Sequence, residues 1–472
     1  MAGIAMVQSG AMPCSVTGAG APTVSIALFT RDLRLHDNPV LCGAADSARV
    51  VPLFVLDDAM SGNGFLRPNR ASFLVQCLTD LEAGLRDRGG RLVIRRGAVV
   101  DEVCRVAAET GARQVHLAAD VSDYAQRRRD RLARALATDG RELVVHEAAI
   151  NAVPPGDITP QGKDHYAMFT PYYRRWIGQP RRRPLDPPRR IESPRIQAGV
   201  IPRAEQLCEG QPSPEVMPGG EREGGRRLDD WTRRVENYAA DNDLLAADGT
   251  SRLSPYLHFG CLSAIEVLHR VDDGSPGAEA FIRQLAWRDF HHQVLAARPQ
   301  AARQDYRGKE DRWRHDDQAL QAWQQGCTGY PIVDAGMRQL ATEGWMHNRA
   351  RLIVGSFLTK TLYLDWRLGA RHFLELLVDA DIANNQLNWQ WIAGTGTDTR
   401  PNRVLNPLAQ ARRYDPRGDY VRRWVPELAS ITGYAVHEPW KRDGLNYPAP
   451  IVDLDQGRQR FLAARGAHGS KR

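Results

Sequence analysis

Apolar positions follow two different regimes along the chain. From residue 24 to about 147, short unbroken apolar runs alternate with stretches of helical spacing. The runs "VSIALF", "VVPLFVL", "RLVIRRG", "QVHLAA" and "ELVVHE" predict five strands. Between them "ASFLVQCLTDLEAGLRDRG" repeats apolar groups at Phe73, Leu74, Cys77, Leu78, Leu81 and Leu85, and "VVDEVCRVAAETG" and "YAQRRRDRLARALATDG" repeat the pattern. Continuous apolar strands between amphipathic helices predict a doubly wound parallel α/β sheet. No GxGxxG follows the first strand, so this is not the standard dinucleotide fold. Ligands of such sheets gather at the carboxyl ends of the strands, which points to residues 30–34, 57–60 and the segment after Ala119.

From about 178 to 227 the chain is rich in Pro, Arg, Gly and Glu ("QPRRRPLDPPRRIESPR") and reads as a linker laid along the surface. Beyond Leu228 the strand signal nearly vanishes. "AEAFIRQLAWRDFHHQVLAA", "PIVDAGMRQLATEG", "WMHNRARLIVGSFLTKTL" and "LGARHFLELLVDADIANNQ" each predict a helix. The first 23 residues are small and lack the basic start of a signal peptide. The organisation read from the pattern is a flexible leader over 1–23, an α/β domain over 24–155, a linker over 156–227, an all-α domain over 228–465 and a disordered tail over 466–472.

Two of these helices carry an unusual face. Gln284, Trp287, Arg288 and His291 lie at i, i+3, i+4 and i+7. Trp345, Asn348, Arg349 and Leu352 repeat the spacing. Either face alone also suits a packed core tryptophan with a satisfied polar neighbour. A third stretch, "ANNQLNWQWIAGTGTD", sets Trp389 and Trp391 beside Asn384, Asn385, Gln386 and Asn388. Together the three favour one shared cavity that stacks planar rings on indole and reads their edges with amides and guanidinium. Six of the eleven tryptophans fall between 313 and 391, which suits a helical core or an electron route to a buried redox centre. The hydroxyl-rich loop of "DGTSRLSPYLHFG" before a predicted helix suits a phosphate group.

Composition narrows the class. Apolar residues at 42% and charged residues at 25% are ordinary globular values. No apolar run approaches the length of a membrane span, about 18 residues. Seven scattered cysteines without a CxxC predict reduced thiols in the cytoplasm and no zinc or cluster site. The formal charge of +7 leans towards a polyanionic partner. Lys163, Lys309, Lys360, Lys441 and Lys471 are the lysines, and the rest of the 63 basic residues are arginine, the better phosphate fork.

The blocks "FTRDLRLHDNPVL", "MFTPYYRRW", "GTSRLSPYLHFG", "TGYPIVDAGMRQL", "WMHNRARLIVGSFL" and "WQWIAGTGTD", in this order, resemble the photolyase/cryptochrome family over nearly the whole chain from Val24 to about Arg465. The resemblance implies an α/β antenna domain and a helical domain that binds FAD. It implies light-driven splitting of ultraviolet pyrimidine dimers. Carried over by motif, Tyr238, Thr250, Ser251, Arg252, Leu253 and Ser254 lie around the FAD phosphates. Phe281, Gln284, Arg288, Trp345, Asn348 and Arg351 line the flavin, with Asp379, Ala380 and Asp381 near its ring and ribityl groups and Asn385 facing N5. Trp389, Trp366 and Trp313 match an electron-transfer chain. Trp287 and Trp391 match the walls against which the dimer stacks, with His291 beside them, and Arg349, Arg403 and Gln410 match DNA contacts. Asp57 and residues 119–130 lie where relatives hold a second chromophore, for which 8-hydroxy-5-deazaflavin is favoured over methenyltetrahydrofolate.

Within the family, photolyases acting on 6-4 photoproducts carry histidines at the positions of Asn348 and Leu352, so this chain is expected to act on cyclobutane dimers. It keeps Trp287 and Trp391, which plant-type cryptochromes generally lose. Three residues depart from the cyclobutane pattern: Gln284 replaces Glu, Leu352 replaces Met, and Asn242 replaces Arg. The rival expectations are a 6-4 photolyase, a light-sensing cryptochrome and an ordinary FAD oxidoreductase. The implied partner is ultraviolet-damaged DNA. A monomer with no membrane contact and no obligate protein partner is expected.

Overall fold

A computed structural model describes residues 23–62 and 65–466 of the chain. The leader and tail expected at the two ends lie, except for their innermost residues, outside the described residues. Five strands, β1 (Val24–Phe29), β2 (Arg49–Asp57), β3 (Val93–Gly97), β4 (Gln114–Ala118) and β5 (Glu142–His146), form one sheet in the order β3-β2-β1-β4-β5. Every pairing is parallel, with Ile26 of β1 opposite Val51 on one side and Val115 on the other. This is the doubly wound sheet that the apolar runs predict. β1 is buried along its whole length because both of its faces are covered. Ile26 and Leu28 pack with Val103, Val106, Leu132 and Leu136 of the helices Val99–Thr110 and Asp123–Thr138. Ala27 and Phe29 belong to the opposite core, which holds Phe73, Leu74 and Leu78 of the helix Pro68–Arg86. That second core runs on without a break into Tyr256, Phe259, Phe281 and Phe290 of the helical region.

The linker expected over 156–227 holds more structure than its composition suggests. It contains the helix Phe169–Trp176, with Phe169, Tyr172 and Trp176 buried. A second helix, Glu221–Thr232, crosses the expected boundary at 227. Asp289, buried in the long helix Pro276–Ala297, fastens this part of the chain. Its carboxylate accepts from Asn151 Nδ2 (2.8 Å), the backbone N–H groups of Ala152 and Val153 (3.0 Å each) and Trp176 Nε1 (3.0 Å).

From Glu221 onward the regular elements of the described chain are all helices, apart from an isolated bridge between Arg314 and Leu364. Two of the expected helices are interrupted. "WMHNRARLIVGSFLTKTL" begins its helix only at Asn348 and turns from α to π geometry at Phe357–Thr361. "LGARHFLELLVDADIANNQ" breaks between Trp366–Leu376 and Ile382–Ala393. Asp381 causes the restart, because its carboxylate caps the new helix by accepting from Asn384 N (2.8 Å). No helix among the described residues is long and apolar enough to cross a membrane.

Candidate active site

Four pieces of backbone enclose a cavity of about 410 Å3 in the helical region. The first is the loop 250–254, in which Arg252 holds a left-handed φ of 52° before the helix Ser254–Phe259. Arg252 is fixed by Glu343 (2.9 Å) and Asp248 (2.8 Å), and its guanidinium lies 4.4 Å from the ring centre of Trp345. The second is the long helix Pro276–Ala297, started by Ser275, which accepts from Ala278 N. It points Phe281, Gln284, Trp287, Arg288 and His291 at the cavity. Ala286, Phe290 and Val294 meanwhile enter the core.

The third piece joins Trp345 to the helix Asn348–Ser356, where His347 caps the turn by accepting from Arg349 N (3.1 Å). Trp345, Asn348, Arg351 and Leu352 face the cavity. Arg351 grips Asp379 (2.8 Å), which also accepts from Ser254 Oγ (2.6 Å). The fourth is the break before Ile382–Ala393 and that helix itself, which supply Asp379, Asp381, Asn384, Asn385, Asn388, Trp389 and Trp391. Tyr238, Thr250, Ser251, Leu253 and Ser254 complete the wall. Thus the polar–indole faces and the amide-rich stretch surround one space.

Not every candidate lies there. Ala380 is fully buried in the neighbouring apolar core and gives the cavity no surface, so a side-chain role for it in holding a cofactor is set aside. Arg349 turns away to Asp243 (2.7 Å) and stacks 4.3 Å from the centre of the Tyr414 ring. Arg403 is exposed and Gln410 half-buried on the chain beyond Trp391. Trp389 and Trp366 are buried, whereas Trp313 is half-buried. A Cβ at Gly369, one turn after Trp366, would run into the Trp389 ring, so these two helices are in close contact. Trp313 packs against Tyr363 at 5.1 Å. Gln386 and Gln390 serve the fold: they donate to the carbonyls of Ala302 (2.7 Å) and Ala301 (2.6 Å).

A second cavity, of about 680 Å3, lies at the carboxyl ends of β1, β2 and β4. Thr30, Arg31, Asp57, Met60, Asp120, Tyr124 and Arg128 line it from the sheet side, and His258, Asp381 and Gln386 from the helical side. Asp381 therefore borders both cavities. Arg31 joins them, donating to Asp381 (2.5 Å) and to Asp120 (3.3 Å). The sequence marks each member separately, but no local pattern reveals their pairing, because they are 350 residues apart.

Burial alone would raise the Asp381 carboxyl, but His292 and Arg31 outweigh it and hold it well below the usual carboxylate range. Burial lowers the Arg31 guanidinium, and Asp120 and Asp381 more than restore it. Burial pushes His291 down to about 4, so its ring is neutral at ordinary pH. His291 shares a hydrogen bond with Asn384 Oδ1 (3.1 Å), and Asn384 donates to Asp381 (2.8 Å). Since that oxygen can only accept, His291 Nδ1 is the donor and Nε2 is left as an acceptor. Buried and without a partner among the described residues are Thr250 Oγ1 and His291 Nε2 in the first cavity, and Thr30 Oγ1, Asp57 Oδ2 and Arg128 Nε in the second. Such atoms are costly unless something pairs with them. No cluster of three or more His, Cys, Asp or Glu among the described residues could hold a metal ion.

Comparisons with known proteins agree with this geometry. A family profile described as DNA photolyase matches residues 25–190, and one described as the FAD binding domain of DNA photolyase matches 281–467. The chain is 58% identical over 455 residues to the deoxyribodipyrimidine photo-lyase of Streptomyces griseus, covering 94% of this chain and 99% of that protein. A class III photolyase from Agrobacterium tumefaciens superposes with a TM-score of 0.90 at 32% identity, over 97% of this chain and 100% of that one. An archaeal photolyase from Sulfolobus tokodaii, solved with two FAD molecules, gives a TM-score of 0.83 at 30% identity, over 94% and 100%. With two cavities in the places the motifs marked and relatives matching along nearly its whole length, the chain belongs to the DNA photolyase family.

Proposed function

We propose that the chain is a deoxyribodipyrimidine photo-lyase, a light-driven enzyme that splits cyclobutane pyrimidine dimers in ultraviolet-damaged DNA. The observation that carries this reading is a single cavity bordered by two half-buried indoles, Trp287 and Trp391, together with amides and guanidinium groups. The 58% identity to the Streptomyces griseus enzyme supports it.

FAD suits the cavity. Its phosphates would meet Tyr238, Thr250, Ser251, Arg252, Leu253 and Ser254, where Thr250 Oγ1 lacks a partner. Phe281, Arg288, Trp345, Arg351, Asp379, Asp381 and Asn385 would hold the rest. When bound, FAD supplies the photoexcited electron that opens the cyclobutane ring and is afterwards returned. The chain itself need only bind, orient and exclude water. Trp287 and Trp391 would stack the flipped-out dimer. Gln284 and Asn348, both exposed to the cavity, would hydrogen-bond its base edges, and neutral His291 would stand beside Trp287. Asn385 is held by the Ala370 carbonyl (3.1 Å) and keeps a neutral amide rather than a charge in the cavity. Trp389, Trp366 and Trp313 would relay electrons from the cavity towards the surface, and Arg349, Arg403 and Gln410 would touch the DNA strand.

The cavity between sheet and helical region suits a second chromophore, 8-hydroxy-5-deazaflavin in preference to methenyltetrahydrofolate. Its volume accommodates a planar tricycle, and the unpaired Thr30, Asp57 and Arg128 atoms offer polar anchors. The Sulfolobus relative with two FAD molecules makes a flavin-shaped occupant the apt comparison. The enzyme would work as a monomer in the cytoplasm, where the free thiols of Cys42, Cys77, Cys104, Cys208, Cys261 and Cys327 stay reduced.

The test is repair itself. Reduced protein is mixed with oligothymidine bearing cyclobutane dimers, and absorbance near 260 nm is followed under blue light, since splitting the ring restores the C5=C6 double bonds on which the pyrimidine absorbance depends. Recovery in light but not in darkness is expected. A protein that binds FAD yet restores no absorbance would sink the reading.

A further inference from the structure

The block "MFTPYYRRW" takes no part in the function proposed above, yet its second residue lies against the substrate wall. Phe169 lies face to face with Trp287, ring centres 3.7 Å apart and planes 5° from parallel. Aromatic pairs more often sit offset or edge-on, at about 4.5–7 Å. Phe169 has further aromatic and cationic neighbours. Tyr173 stacks on it at 5.6 Å and 21°, and the Arg283 guanidinium lies 4.9 Å from Phe169 and 4.7 Å from Tyr173. Phe290 meets both Phe169 (5.8 Å) and Trp287 (5.5 Å) edge-on. The helix that carries Phe169 cannot easily retreat, because Tyr172 and Trp176 are buried and Trp176 donates to Asp289.

We infer that Phe169 is a positioning residue for the lesion: it backs Trp287, fixes the plane of that indole and leaves one indole face for the dimer to stack on. The inference rests on the photolyase reading above. A lone half-buried tryptophan would sample several ring orientations and lose them on binding. A ring already stacked on one side loses less, so the effect falls on affinity rather than on the light-driven step. Phe169 reaches Trp287 from a segment more than a hundred residues earlier in the chain, which is why the helical face at 284–291 gives no hint of it.

The experiment compares wild-type holoenzyme with Phe169→Leu, Phe169→Met and Phe169→Tyr. It measures the dark dissociation constant for an oligothymidine with one dimer, and the repair yield per absorbed photon at saturating DNA. Phe169→Leu and Phe169→Met should weaken binding about tenfold, or about 1.4 kcal/mol. FAD content and yield at saturation should stay within twofold of wild type, melting curves should show every variant folded at the assay temperature, and Phe169→Tyr, which keeps the ring, should restore binding. In a Trp287→Leu background the Phe169→Leu loss should vanish, since there is no indole left to hold. Wild-type affinity in both Leu and Met variants, equal losses in the Tyr variant, or strictly additive losses with Trp287→Leu would overturn the inference while leaving the photolyase reading intact. A wild-type protein that binds no dimer would overturn both.

Discussion

Asp381 shows how much a single side chain can carry here. It caps a helix, borders two cavities, and takes Arg31, His292 and Asn384 as partners. Replacing it with Asn keeps the shape but removes the charge that Arg31 was buried to meet. Breaking one side of a buried pair costs about 3–5 kcal/mol. Asp381→Asn is therefore expected to lower unfolding stability by that order in urea titration of the holoenzyme and to release FAD more readily. The pH dependence has a definite sign. Since the folded state holds this carboxyl well below its ordinary value, its stabilisation is complete above that value and is lost as pH falls towards the folded one. Acid unfolding of wild type should accordingly be steeper than that of Asp381→Asn. At this scale the sequence was half legible. The amides of 384–390 signal a polar interior, but only structure separates Asn384, Asn385 and Asn388, which face the cavity, from Gln386 and Gln390, which tie down backbone carbonyls.

Among the elements, the π turn Phe357–Thr361 is the clearest departure from pattern, since nothing in "SFLTKTL" marks a change of helical pitch. Its Lys360 is buried, with Nζ donating to the carbonyls of Pro401 (2.9 Å) and Arg403 (2.6 Å). Ser356, a turn earlier, accepts from Leu405 N (3.0 Å). The loop after Trp391 is thus clamped at two points. Burial lowers the Lys360 ammonium to about 7. Between that value and the ordinary 10.5 the unfolded chain holds a proton that the folded chain does not, so stability rises with pH over this window. Lys360→Met should flatten that rise, measured as melting temperature from pH 6.5 to 9.5, about the span between the two values. It should also cost about 1–3 kcal/mol near neutral pH by leaving two carbonyls unpaired. The central strands β1, β2 and β4 were readable because they are buried on both faces and read as unbroken apolar runs. Phe169–Trp176 was hidden because its buried aromatic positions are flanked by proline- and arginine-rich chain that reads as surface linker.

For the whole molecule, charge is the readable quantity and its placement is not. The excess of +7 points to a polyanion, yet many arginines pair with carboxylates within the fold, as Arg349 does with Asp243. Arg403 exposes its side chain while its carbonyl is clamped by Lys360. Arg403→Ala should weaken binding to damaged and undamaged duplexes alike and reduce the slope of log K against log salt by about 1. An unchanged slope would remove Arg403 from the interface. The Asp289 carboxylate carries a different consequence, for recombination. Four of its donors come from 151–176, so a chimera that joins this sheet to the helical half of a relative anywhere in 178–227 would mix two separately evolved halves of one buried hydrogen-bond cluster. The workable crossover lies upstream of Asn151, and the portable unit of this enzyme is the helical half together with the arm that precedes it.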